Sequence, residues 1–159
     1  SGDILVEDND IVVGMSSFGP DLQRGIRITT CDPEEFPYAS ERTVVVENNR
    51  IQVIGSGRES ATTQGMLLSN DNGLDGFAAT YTVTGNEIEI QDGDAAIVLG
   101  SMNPVATLRN AQIVDNVIGG TAEYGIFSPE DAPGCVVDGN DMTALEARIS
   151  EVELSGDGA

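Results

Sequence analysis

Carboxylates dominate the groups that could do chemistry. The chain carries 27 Asp and Glu against 7 basic residues, and all seven bases are arginine: Arg24, Arg27, Arg42, Arg50, Arg58, Arg109 and Arg148. There is no histidine and no lysine. Without histidine, neither a Ser-His-Asp triad nor a His-ligated metal site can be assembled from this chain. Without lysine, a Walker A phosphate loop and Schiff-base catalysis are excluded as well. What remains is carboxylate, tyrosine, arginine, cysteine and the backbone.

Four acidic clusters invite a calcium reading: "EDND" (Glu7–Asp10), "NDNGLDG" (Asn70–Gly76), "QDGD" (Gln91–Asp94) and "DGND" (Asp138–Asp141). Calcium needs six to eight oxygens, and an EF-hand loop closes on an acid at its twelfth position. None of the four completes that pattern, so they read as solvated turns and no metal or other cofactor is expected. A net charge of -20 repels phosphate backbones and anionic lipid, which argues against nucleic acid and membrane surfaces as partners. No segment is apolar enough, for long enough, to predict a transmembrane span.

Cys31 and Cys135 are the two cysteines. Joined, they would close a loop of roughly a hundred residues, worth about 4 to 5 kcal/mol in the chain-entropy model. The alternative is a pair of buried thiols in a reducing compartment. The disulfide is the expectation adopted. The chain starts at Ser1 without an apolar leader, and is read as a processed form from an organelle lumen, such as a plastid or thylakoid, or as a secreted protein.

The elements that must position these groups are strands. Short apolar runs with period-2 alternation recur from "DIVVGM" (Asp10–Met15) through "RTVVVE" (Arg42–Glu47) and "EIEIQ" (Glu87–Gln91) to "AQIVDNVI" (Ala111–Ile118). In "VENNRI" and "VTGNEI", Asn48–Asn49 and Gly85–Asn86 stand between strand runs and read as two-residue hairpin turns, implying antiparallel neighbours. The segments 31–41 and 128–142 read as loops of a single domain spanning 1–159, and the tail "TALEARISEVEL" as a last strand. A parallel β-helix competes, because "NNRIQVIG" and "DNVIGGTAEYGIF" share its rhythm; the unequal spacing of the turns counts against it. The expected fold is therefore all-β: an antiparallel, roughly eight-stranded closed barrel.

From Gln64 to Tyr124 the order of features resembles the dirigent and allene oxide cyclase barrel family: "TQGMLLS", then "FAATYTVTG", then "GDAAIVLGSMNP", then Arg109 and "VIGGTAEY". Gly119, Gly120, Thr121 and Tyr124 stand where that family has its Gly-Gly-Thr signature. The glycines read as a place where a strand coils tightly, since no GxGxxG spacing or lysine supports a phosphate loop. The resemblance implies a barrel with an apolar cavity for a small hydrophobic ligand, lined by Arg109, Tyr81 and Asn103. The family's turn acid is replaced by Asn103, which cannot act as a general acid. No catalytic residue is therefore assigned. The function expected is a non-catalytic accessory or binding barrel docked into a larger assembly or a homo-oligomer. The alternative is stereocontrol over the coupling or cyclisation of a small hydrophobic substrate.

Overall fold

The computed structural model describes residues 3–14, 22–31, 43–56, 62–71, 79–100, 108, 110–128, 132 and 134–154. Every strand pairing among them is parallel. The all-β expectation holds, while the antiparallel closed barrel is overturned: the chain winds as a β-solenoid of five stacked coils.

Three walls repeat from coil to coil. The first stacks β1 (Ile4–Glu7), β4 (Thr43–Glu47), β7 (Thr80–Thr84), β9 (Ala111–Val114) and β11 (Val136–Asp138), in that order. The second stacks β2 (Asp10–Val13) and β5 (Arg50–Ile54) on the leading halves of β8 (Glu87–Leu99), β10 (Val117–Ser128) and β12 (Asp141–Leu154). The third stacks β3 (Leu22–Cys31) and β6 (Thr62–Asp71) on the trailing halves of those same long strands. β8 turns the corner between walls two and three, because Arg50–Ile54 pairs with Glu87–Gln91 and Met66–Leu68 with Ile97–Leu99.

The supposed hairpin turns are corners. Asn48 (φ 54°) and Gly85 (φ 64°) take left-handed backbone conformations that swing the chain from wall one into wall two. The chain does not reverse there, so β4 pairs with β1 and β7 rather than with β5. Coil lengths explain why no steady period was visible. Equivalent corner asparagines are 40, 37, 30 and 24 residues apart along the chain. The differences are taken up in connecting segments and in bulges, while the stacked walls stay in register. Within the segment read as a second loop, Val136–Asp138 forms β11; the earlier loop, after Cys31, lies outside the described residues. The C-terminal tail is a strand, as read.

Alternation along each strand builds the core. Inward rows such as Ile11–Ile51–Ile88–Ile118 run up the stack, each residue in register with the next. Wall three contributes Ile26, Met66, Ile97 and Ile126 in the same way. From the second coil to the fourth these side chains are fully buried, each worth about 1.5–3 kcal/mol of apolar burial. The repeat on wall three is "RGIRI", "QGMLL", "AAIVL", "YGIFS" and "SEVEL", with a small residue facing inward in four of the five. Gly25 and Gly65 sit there against Ile51 and Ile88 of wall two, where any Cβ would strike core side chains and backbone.

Candidate functional site

Among the described residues, a ladder of asparagines runs along the corner between walls one and two: Asn9, Asn49, Asn86, Asn116 and Asn140. Each follows a residue in the left-handed region, namely Asp8, Asn48, Gly85, Asp115 and Gly139, with φ between 54° and 65°. Short polar side chains and glycine tolerate that conformation best, which explains the Asp, Asn and Gly usage. The following asparagine then turns inward. Asn49, Asn86 and Asn116 are buried.

The ladder has one direction. The backbone N–H and Nδ2 of Asn49 both donate to Oδ1 of Asn86, at 3.0 and 2.9 Å. Asn9 donates to Asn49, Asn86 to Asn116, and Asn116 to Asn140 at the same distances. Each interior Nδ2 also reaches carbonyls of wall one, as Asn86 does with Val46 (2.9 Å) and Thr84 (3.1 Å). Buried amides are thereby satisfied on both sides. Two acidic clusters, "EDND" and "DGND", are the end rungs of this ladder, and "QDGD" is the corner of β8. Among the described residues, no group of three or more Asp, Glu, Cys or His is placed to hold a metal ion.

Of the residues singled out for a cavity, the described residues include Tyr81 alone. Tyr81 is wholly buried in wall one, its hydroxyl donating to the Ser69 carbonyl at 3.2 Å. Asn103 and Arg109 lie outside the described residues. The volume that a barrel would keep open is filled here by Met66, Leu68, Ile90, Ile97, Ile113 and their neighbours. Gly120 marks the second corner at φ 99°, Gly119 is an ordinary strand position, and Thr121 is half-buried.

Tyr124 points outward and stacks on Phe127, ring centroids 4.4 Å apart, beside Leu67, Ala95 and Val98. Partial desolvation, then Glu153 and Glu123, push its phenol pKa upward. On the same face, Arg24 Nε donates to Gln64 Oε1 at 2.6 Å. Desolvation first, and Arg27 second, lower the pKa of that guanidinium.

The expected disulfide is also corrected. Cys135 is a free thiol. It lies just before β11, accepts from the Ala111 N–H at 3.4 Å and contacts the Leu108 carbonyl at 3.8 Å, which holds it in the wall of its own coil. The Cys31 side chain lies outside the described residues. Burial pushes the Cys135 thiol above its ordinary value, outweighing the Ala111 hydrogen bond. Less thiolate at a given pH means slower attack. Native Cys135 is therefore expected to alkylate without reductant, more slowly than a model thiol at pH 8, and to speed up as pH rises further. Peptide mapping after timed iodoacetamide labelling checks this; labelling that appears only after reduction would restore the disulfide.

Sequence reasoning missed the ladder although its signal was present: five Asn residues, each preceded by Asp, Asn or Gly and flanked by short apolar runs. The chain matches no protein-family model, no curated protein and no solved structure. Among the described residues, no helix is long and apolar enough to cross a membrane.

Proposed function

We propose that this chain is a non-catalytic accessory solenoid that docks into a larger assembly in an organelle lumen or extracellular setting. One observation carries the reading: the stack ends in sheet edges at both poles. Among the described residues, β1 pairs only with β4 and β2 only with β5, while β11 pairs only with β9 and β12 only with β10. Edge strands present unpaired backbone donors and acceptors, which serve as templates for another strand. The apolar side chains Leu5, Val12 and Val136 stand exposed on those edges. The filled interior favours this use over stereocontrol of a small substrate, which would need a cavity.

Cross-linking in the native source, followed by mass spectrometry, tests the proposal. Cross-links are expected to concentrate at residues 3–13 and 136–154. A chain that elutes at its monomer mass from a native extract, or whose contacts all lie on the middle coils, would refute it.

A further inference from the structure

Resting on that docking reading, we propose that copies of this chain stack head to tail. The C-terminal coil of one lies against the N-terminal coil of the next, so that the asparagine ladder and the walls run on across the junction.

The direction of the ladder selects this occupant. Within the chain, every ladder Oδ1 from Asn49 to Asn140 accepts two N–H groups from the asparagine one coil earlier. Among the described residues, Asn9 Oδ1 has no such donor and the Asn140 backbone N–H has no acceptor. The other half of the corner pattern is equally open. Arg50, Glu87, Val117 and Asp141 each donate their backbone N–H to the asparagine carbonyl one coil earlier, at 2.8–2.9 Å. The next donor in that series would be Asp10 of a following copy, and its acceptor the Asn140 carbonyl. One pole thus offers the acceptor that the other lacks. Among the described residues, each pole has one open donor and one open acceptor, and in the head-to-tail order both are met with the walls still parallel and in register, as they are between the coils of one chain.

Extending the register by one coil tests the fit of the side chains. The outward row Leu5–Val45–Thr82–Gln112–Val136 would continue with Val136 beside the next Leu5, two apolar residues that are 49% and 54% exposed. The row Val12–Gln52–Glu89–Gly119–Ala144 would set Ala144 beside Val12, which is 64% exposed. On wall three, Arg27–Leu67–Val98–Phe127–Glu153 would place Glu153 against Arg27, an opposite-charge pair at the junction. Opposing these contacts, Glu7 would meet Asp138 and Asp10 would meet Asp141, between chains that each carry a net charge of -20. That repulsion is long-ranged, whereas the hydrogen bonds and apolar contacts are not. Salt therefore decides the balance: the Debye length falls from roughly 14 Å at ~0.05 M to about 3 Å at ~1 M. A head-to-tail contact of this kind does not close on itself, so growth continues past two copies.

Sedimentation velocity of the full chain, over a concentration series at ~0.05 M and ~1 M sodium chloride, reads this out. A monomer is expected at low salt, and a growing series of oligomers at high salt. At an intermediate ~0.3 M salt, where charges are only partly screened, Arg27→Glu should weaken association about two- to fivefold, and the double variant Arg27→Glu/Glu153→Arg should restore it; far-UV circular dichroism confirms that each variant stays folded. A monomer under all conditions, a dimer that does not grow, or a double variant no better than Arg27→Glu would each overturn the stacking. Cross-links from either pole to a different protein would leave the docking reading intact while this inference falls. A lone monomer in the native extract would remove the docking reading itself.

Discussion

Replacing Asn86 by alanine is expected to cost about 3–5 kcal/mol of stability, because several buried groups lose partners at once and each costs about 1–3 kcal/mol when left unsatisfied. Asn86 is the middle rung. Its Oδ1 accepts from the backbone N–H and Nδ2 of Asn49, and its own Nδ2 serves Asn116 Oδ1 and the Val46 and Thr84 carbonyls. Alanine deletes all of these while the surrounding backbone stays dry. Asn9→Ala is the control, since that rung is exposed and water can replace what is lost; about 1 kcal/mol or less is expected there. Asn86→Asp separates shape from hydrogen bonding. The introduced carboxyl keeps one acceptor for Asn49 but turns an oxygen toward two carbonyls in a buried site. Its folded pKa is thereby raised, so the variant should be most stable below the ordinary carboxylate range and should lose stability as pH rises through the raised value. Urea midpoints across pH 4–8 measure all three variants. Equal losses for Asn86→Ala and Asn9→Ala would show that the ladder does not hold the coils together.

The strands were legible because period-2 alternation is a local property. "EIEIQ" shows its buried and wet faces within five residues, and Ile88 and Ile90 are buried as that pattern requires. Pairing direction was not legible. In "VENNRI" the same asparagines and positive φ that suit a hairpin also suit a solenoid corner, and the choice is settled by residues 37 and 40 positions away. The unequal coil lengths hid the repeat further. A solenoid needs only that its walls stay in register, and a connecting segment or bulge can lengthen a coil without disturbing the next. Tyr81 was correctly placed on a strand, but its neighbours were not: a cavity residue and a core residue look alike in sequence. The expected disulfide failed for a related reason, since separation along the chain sets the entropy of a cross-link but says nothing about whether two side chains meet.

The paired glycines of "VIGGTAEY" give the second large effect, and the two positions should respond unequally. Gly120 occupies the corner of β10 at φ 99°, opposite Ile90. An added Cβ would collide with the Ile90 carbonyl oxygen, and backbone cannot swing aside as a side chain can. A bulge lies next to it, where Gln91 and Asp92 of β8 oppose Thr121 alone, with Asp92 itself at φ 51°. The corner is therefore already bent by two left-handed residues on adjacent strands. Gly120→Ala should cost about 3 kcal/mol or more, combining the penalty for a left-handed non-glycine residue with forced separation of β8 from β10. At Gly119 an added Cβ would meet the far end of the Glu89 side chain at 2.9 Å and the Ala144 methyl at 3.4 Å. The glutamate can turn into solvent, and alanine restricts the unfolded chain, so Gly119→Ala should stay within about 1 kcal/mol of the parent. Thermal unfolding of the two variants side by side checks the contrast. If both lower the melting temperature equally, the requirement belongs to the strand as a whole; if only Gly120→Ala does, it belongs to the one residue where the chain turns between walls.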